Sequence, residues 1–263
     1  MSNFENLFFL MRLAYKMVLQ KLIKPAWDTP ERTREMEMTL QDCADRTGFR
    51  PTKQTYIKST WKLPITNVVK DFIWKIQLQL LKCGKYFTKM GGEWAEKGTC
   101  ETCAVTETPE HILFGCTLNG GHETWTEAAK LWRRSSEEPW TDTSLAIVSS
   151  LGVIPLMRGS QAGAQSANDK RYQILVSYAA WTIWKARCSR KIGGIEWDPQ
   201  KTVTLYHQEL RSLAQTEWTV VTRAEKRQKE LQATYTGIWC SHQKLVNIGV
   251  RSEDFTWLPE LGQ

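Results

Sequence analysis

Apolar and polar residues repeat along most of the chain with the period of an α-helix. In residues 6–24 polar side chains recur every four positions from Arg12 to Lys24, which predicts one polar stripe on an otherwise apolar helix. Pro25 cannot continue that helix. The stripe excludes a membrane-spanning segment, and no small-residue cleavage site follows as in a signal peptide. We therefore expect an intracellular protein, nuclear or cytoplasmic, without a membrane partner.

Start and stop signals bound the next two helices. Pro30 directly follows an Asp-Thr pair and predicts the start of a helix that ends at Gly48. Residues 49–66 contain two prolines, which indicate a loop with short extended pieces. A third helix is predicted from Asn67 to Gly91, where two glycines end it.

The third predicted helix has one apolar and one basic side. Its apolar stripe runs from Val69 to Phe87 in steps of three and four. Lysines occupy the other side: Lys70, Lys75, Lys82, Lys85 and Lys89. Further downstream, residues 124–132 and 171–190 are predicted helices, and residues 144–151 form a short apolar piece. A longer helix is predicted over residues 198–234, with a break near Thr216.

Composition narrows the class of protein. The chain has 263 residues, 41% hydrophobic and 24% charged, which excludes a disordered tail, a collagen-like repeat and a membrane bundle. Thirteen tryptophans indicate either a well-anchored core or a surface that stacks on flat groups. The net charge of +7 is uneven: residues 1–99 carry +7, residues 100–160 carry −4 and residues 161–263 carry +4. A basic excess favours a polyanion partner, although solvated helix faces are its commoner cause.

The central acidic stretch contains a group of metal-ligating residues. Cys100, Cys103, His111 and Cys116 are spaced C-x2-C-x7-H-x4-C. A two-residue gap lets two thiolates face one point, and a short helix over residues 109–116 would aim the histidine and last cysteine at it. Three sulfurs and one imidazole form a closed, structural Zn²⁺ site, with ligand atoms expected within about 4 Å of one another.

Other interpretations of these residues stay open. The four residues could lie close together in sequence by chance, as ordinary side chains. His122 could replace one ligand of the set. A second metal site is conceivable from four scattered residues: Cys188, His207, Cys240 and His242. Their long and irregular separations make this second site the weaker hypothesis.

The fold class predicted from these elements is mainly α, with a helical domain built round a Cys-Cys-His-Cys zinc-binding loop and a C-terminal helical region after it. Residues 158–169 are small and polar, as in a flexible linker. The predicted regions are an N-terminal helical segment (1–60), the zinc-binding domain (61–157), the linker (158–169) and the C-terminal helical region (170–263). Within the zinc-binding domain, we expect the 69–87 helix to pack on the 125–132 helix with the zinc loop between them.

Several motifs in order resemble a known family. They are Phe72-Ile73-Trp74-Lys75, then Gly84-Lys85-Tyr86-Phe87, then the Cys100 to Cys103 pair, Glu107, the Glu110-His111 pair, Cys116 and Trp125. This order resembles the zinc-binding domain found downstream of reverse transcriptase in non-LTR retrotransposons, over about residues 60–135. Two flanking pieces, residues 14–16 and 183–188, look like segments of fungal-type retroelement proteins, in which an RNase H domain often lies upstream.

Catalytic signatures of that family are missing from the sequence. It contains no Asp-Asp pair for a polymerase, no strand-borne set of acids for RNase H, and no Gly-rich phosphate loop or nucleophile elbow. We therefore expect a non-enzymatic piece of a retroelement polyprotein. Reverse transcriptase or RNase H domains acting in trans are its possible protein partners.

Two functions from different classes follow. The first is a zinc-stabilised module that binds RNA or DNA through basic side chains flanking the acidic loop: Lys82, Lys85, Lys89, Arg133 and Arg134. The second is a structural or protein-interaction scaffold, or a degenerate fragment without retained activity. Salt-dependent binding to nucleic acid discriminates the two.

Overall fold

The computed structural model describes residues 29–153, 166–224, 227–240, 245–248 and 255–259. The helix predicted over residues 6–24 lies outside these ranges, and so does most of the linker predicted over residues 158–169. The described part of the chain is mainly α-helical, as predicted, with one small sheet.

Nine α-helices and two strands occur among the described residues. The helices are α1 (Pro30–Thr47), α2 (Lys53–Ser59), α3 (Asn67–Gln77), α4 (Lys85–Met90), α5 (Gly121–Ser135), α6 (Leu145–Ser150), α7 (Ala167–Lys191), α8 (Pro199–Arg223) and α9 (Gln228–Trp239). Strands β1 (Val246–Ile248) and β2 (Phe255–Trp257) pair antiparallel, with Val246 opposite Trp257. Shorter 3-10 turns cover Thr60–Lys62, Gly92–Gly98 and Thr117–Asn119, and a π-helical turn covers His111–Gly115.

Local signals set the ends of several helices. Pro30 occupies the first turn of α1, and Gly48 closes the helix in the left-handed conformation, with its N–H donating to the Ala44 carbonyl at 2.8 Å. Helix α7 begins with a reciprocal cap in which Ser166 and Asp169 satisfy each other's backbone N–H groups. That cap starts the helix inside the predicted linker, four residues before the predicted start at Arg171.

Helix α7 is the centre of the fold. Helices α3, α5, α6, α8 and α9 all pack against it. Its ten residues from Arg171 to Ala180 are buried without exception, although besides two tyrosines they include three polar or charged side chains. Two of them find buried partners: Arg171 donates to the Ile238 carbonyl at 2.6 Å, and Gln173 donates to the Leu151 carbonyl at 2.8 Å. These two long polar side chains are thus kept in a covered helix by hydrogen bonds to backbone carbonyls.

The prediction of one helix from Asn67 to Gly91 is wrong. Helix α3 ends at Gln77, Gln79 adopts a left-handed φ of 55°, and a new helix starts at Lys85. Gly84, with φ 45°, lies against a passing backbone segment, because a Cβ at this position would come within 2.0 Å of the Glu107 carbonyl oxygen. The turn therefore includes a tertiary contact that local periodicity does not indicate.

The structure bears on two further expectations. Helices α3 and α5 were expected to pack on each other across the zinc loop; both pack against α7 and contribute to the same hydrophobic core. The long helix predicted over residues 198–234 breaks after Arg223, not near Thr216.

A single hydrophobic core joins the regions on either side of the predicted linker. It contains Phe72 of α3, Trp132 of α5 and Ile183 of α7, together with Tyr206 of α8. The Phe72 ring lies 5.4 Å from that of Trp181, and the Trp132 ring meets Tyr172 edge-on at 5.4 Å. Among the described residues no helix combines the length and the apolar character needed to cross a membrane.

Candidate metal centre

A tight hairpin presents the first two cysteines. Thr99 pairs with Thr106 in an antiparallel bridge, and the Cys100 N–H donates to the Val105 carbonyl at 2.8 Å. The turn closes where the Ala104 N–H donates to the Cys100 carbonyl at 3.0 Å. Ala104 adopts a φ of 54° there, a left-handed conformation that is unfavourable for any residue with a Cβ. This turn brings the sulfurs of Cys100 and Cys103 to the same side of the hairpin.

The other two candidate ligands lie at the ends of the π-helical turn. His111 begins the turn, and Cys116 follows it in extended conformation. Trp125 of α5 fixes the turn, because its indole N–H donates to the Leu113 carbonyl at 2.8 Å and its ring stacks on Phe114 at 5.2 Å. The short helix predicted over residues 109–116 is therefore a π turn over five residues, anchored by α5.

The structure brings the four residues together. One ligand atom from each of Cys100, Cys103, His111 and Cys116 lies within 4.8 Å of all the others, slightly looser than the expected separation. The sulfurs of Cys100 and Cys116 are 3.8 Å apart. His111 Nε2 is buried and has no hydrogen-bond partner among the described residues. A buried polar atom without a partner is costly, so this nitrogen fits a group that binds a metal ion.

The electrostatic environment makes one thiol acidic. Burial opposes ionisation of Cys100, but the backbone N–H groups of Cys103 and Thr102 and the His111 side chain point at its sulfur and lower its pKa to about 7. Interaction with the Cys100 sulfur raises the pKa of Cys103. Burial raises the pKa of Cys116 to about 12. A bound cation would reverse the last two shifts, since coordination deprotonates a thiol.

The alternative ligands lie elsewhere. His122 is exposed on the first turn of α5 and lies outside the group. His207 accepts the Trp257 indole N–H on Nδ1 at 3.3 Å and places Nε2 3.1 Å from Glu127, so both ring nitrogens are engaged. His242, the last member of the second hypothetical site, is outside the described residues. Within the ranges that the structure describes, one metal-competent group of His, Cys and acidic residues is found.

The five basic residues predicted to contact nucleic acid lie on two separate helices and the turn before one of them. Lys82, Lys85 and Lys89 are exposed on α4 and the turn before it, and Lys85 forms an exposed ion pair of 2.8 Å with Glu31. Arg133 is exposed and Arg134 half-buried in the last turn of α5. At a rise of about 1.5 Å per residue, that turn is roughly 18 Å from the start of the helix, where the metal-binding turn lies.

A buried ion pair attaches the hairpin to the central helix. Arg187 of α7 donates to Glu107 Oε2 from Nε, at 2.9 Å, and from Nη2. Both side chains are almost fully buried, with exposures of 1% and 0%. The guanidinium also contacts the carbonyls of Lys82 and Lys97 and lies 5.4 Å from the Phe87 ring. Arg187 therefore joins α7, α4 and the metal hairpin.

Two more cations at the end of α7 hold the hairpin turn. Arg190 and Lys191 both contact the Glu101 carboxylate, which lies between the first two cysteines. Lys191 also donates to the Thr99 carbonyl at 2.6 Å. The three cations of the last α7 turns, Arg187, Arg190 and Lys191, form what we call the α7 clamp. The sequence indicated a cationic helix end, but the partners of these side chains come from residues about 80–90 positions earlier.

We expect single substitutions in the buried pair to destabilise the protein strongly. Arg187→Met leaves the Glu107 carboxylate buried without its cation, at a cost of about 3–5 kcal/mol in unfolding free energy. Glu107→Leu alone should likewise leave Arg187 buried without its anion. The double variant removes both charges, so its loss of unfolding free energy should be smaller than the sum of the losses in the two single variants. Denaturant unfolding of all three variants measures this; additive losses would show that the two side chains are not coupled.

Ala104→Gly should stabilise the hairpin. Glycine adopts the left-handed conformation without the penalty that alanine carries, so the unfolding free energy should rise by up to about 1 kcal/mol. The matched control is Ala233→Gly on the exposed face of α9, where glycine should lower stability by about 0.5–1 kcal/mol. Equal losses for the two variants in denaturant unfolding would contradict the left-handed conformation at residue 104.

Comparisons of the chain with protein-family models, with curated proteins and with solved structures found no match. The resemblance to retrotransposon zinc-binding domains is therefore carried by the residues of this chain alone.

Proposed function

We propose that the chain is a non-catalytic, zinc-stabilised module that binds RNA or DNA and derives from a retrotransposon reverse transcriptase polyprotein. The convergence of three thiols and an unpartnered imidazole nitrogen beside an exposed lysine segment carries the proposal. The order of the motifs supports the retroelement origin. The missing polymerase and RNase H signatures support a role without catalysis.

The donor set favours Zn²⁺ as the metal. Thiolates and imidazoles in a group of four are the ligands of structural zinc sites, and hard cations such as Mg²⁺ and Ca²⁺ prefer oxygen. Cys100 and Cys116 are buried, and Cys103 and His111 are half-buried. Four protein ligands leave no coordination position for water, so zinc here would stabilise the fold and would not activate a nucleophile.

The exposed lysines of residues 82–89 support the proposal that the partner is a nucleic acid. Lys82 and Lys89 are exposed beside the metal hairpin. Lys85 is paired with Glu31, but an exposed ion pair contributes little to stability, so Lys85 can contact a phosphate instead. The hairpin itself is a poor phosphate ligand, because three thiolates and one Zn²⁺ carry a net charge of −1.

A protein-interaction scaffold is the second candidate. The α7 clamp favours it, because it uses three basic side chains to hold the hairpin and leaves fewer cations for a polyanion. In this alternative the zinc site and the clamp together present a rigid surface to a partner, such as a polymerase or RNase H domain supplied in trans. Absence of salt-dependent binding to nucleic acid would favour the scaffold over the proposed module.

The zinc assignment predicts one Zn²⁺ per chain. Cys103→Ser should abolish stoichiometric zinc and lower the hydrogen-exchange protection of residues 98–125, because metal binding supplies folding free energy there. Helices α8 and α9 should keep their protection. Elemental analysis of purified protein gives the metal content, and Cys240→Ser, a half-buried cysteine outside the group, is the matched control. Full zinc occupancy in Cys103→Ser would refute the assignment.

The nucleic-acid assignment predicts a charge-dependent surface. Changing Lys82, Lys85 and Lys89 together to Gln should weaken binding regardless of sequence and reduce the slope of log affinity against log salt by up to about three units. Binding of a labelled RNA at two salt concentrations measures the slope.

The control for the lysine variant removes the same charge from exposed lysines elsewhere: Lys58, Lys130 and Lys229. This control should keep the salt slope of the unmodified chain. If both triple variants lose the same affinity and slope, the chain binds through its overall charge and not through residues 82–89.

A further inference from the structure

Two exposed aromatic rings lie beside the metal hairpin. Tyr86 and Trp94 are each 42% exposed, which is unusual for such large side chains. Both contact Phe87, which lies between them: Tyr86 meets it edge-on at 5.3 Å, and Trp94 stacks on it at 5.9 Å with the rings 10° from parallel. The three rings form one continuous aromatic cluster with two members facing solvent.

Phe87 holds this cluster against the core. It is buried, and the Arg187 guanidinium lies 5.4 Å from its ring. Helix α4, which carries Tyr86, packs closely on the 3-10 turn Gly92–Gly98, which carries Trp94. The exposed rings are thus supported from below by the buried ion pair, so a flat ligand could stack on them with little loss of side-chain entropy.

A lysine ammonium group lies over each of the two exposed rings. The Lys82 ammonium lies 5.5 Å from the centre of the Tyr86 ring, and the Lys97 ammonium lies 4.8 Å from the centre of the Trp94 ring. Residues 82–97 also contain Lys85 and Lys89, against two glutamates. We call this set the aromatic-lysine surface: Lys82, Lys85, Tyr86, Lys89, Trp94 and Lys97.

We infer that the aromatic-lysine surface binds single-stranded nucleic acid, with unpaired bases stacked on Trp94 and Tyr86 and neighbouring phosphates contacted by the lysines. The inference rests on the proposed function and names the form of the ligand. Exposed rings with ammonium groups over them match a ligand that alternates flat bases and anionic phosphates, because a base that displaces an ammonium group from a ring brings a phosphate for that group to contact. A duplex keeps its base faces stacked inside, and an acidic peptide would use the cations but not the rings.

The test separates stacking from charge. Zinc-loaded protein is titrated into a labelled single-stranded RNA of about 12 nucleotides, and into the matching duplex, at two salt concentrations. Trp94→Leu keeps an apolar contact on Phe87 but removes the ring, and Tyr86→Leu does the same at the other exposed position. Trp61→Leu is the matched control, because Trp61 is 51% exposed outside this surface.

The expected result is a loss of single-strand affinity without a change in charge. Trp94→Leu should weaken single-strand binding by about 5- to 150-fold and leave the salt slope unchanged, whereas Trp61→Leu should change affinity less than about twofold. Tyr86→Leu should act in the same direction as Trp94→Leu. Unchanged metal content and circular dichroism confirm that each variant is folded. If Trp94→Leu does not fold, the affinity of Tyr86→Leu tests the stacking by itself.

Three results would overturn the inference. Equal affinities for Trp94→Leu and Trp61→Leu, with salt-dependent binding retained, would contradict stacking but leave the proposed function standing. Binding of the duplex as tightly as the single strand, or full competition by a polyglutamate peptide, would show that charge alone selects the ligand. No binding to either nucleic acid would remove the proposed function and this inference together.

Discussion

The position of the candidate metal site depends on the ion pair between Arg187 and Glu107, which attaches the cysteine hairpin to α7. Two opposite charges lie almost wholly out of water, and their mutual attraction must offset the cost of removing both from solvent. The environment helps in two ways. Backbone carbonyls of Lys82 and Lys97 accept further contacts from the guanidinium, and the rings of Phe87 and Trp184 lie 5.4 Å from it. One arginine therefore fixes the positions of three separate pieces of chain.

That position of the hairpin determines where the metal group forms. Glu107 lies four residues before His111, and its N–H donates to the Gly98 carbonyl at 2.9 Å, directly before the cysteine hairpin. The same residue passes so close to Gly84 that no side chain fits there. Three features therefore lie next to one another around Glu107: the close backbone contact with Gly84, the buried ion pair with Arg187 and the cluster of candidate ligands. Docking on α7 holds this short segment of little apolar content in place, and a metal ion bound by the four candidate ligands would constrain the same segment.

Helix ends and the spacing of the candidate metal ligands could be predicted from the sequence, whereas contacts between residues far apart in the chain could not. The ends of α1 follow from Pro30 and Gly48, and the metal group follows from the spacing of its ligands, because each of these signals lies within a few turns of chain. The close approach at Gly84 involves Glu107, twenty-three residues later, and periodicity alone continued the helix through the turn that contains it. Helix α7 has no strong apolar face because all its sides are covered, so an amphipathic pattern could not reveal its central position.

The contacts of the basic side chains also change what the net charge indicates about a binding partner. The net charge of +7 suggested a polyanion partner, but a basic side chain that is buried by its acidic or carbonyl partners is not available to such a surface. Arg187, Arg190 and Lys191 serve the hairpin, and Arg171 serves the ends of neighbouring helices. Within residues 82–97, exposed lysines lie next to the exposed rings of Tyr86 and Trp94. The total charge therefore includes cations that already serve the fold, whereas Lys82, Lys85 and Lys89 face solvent.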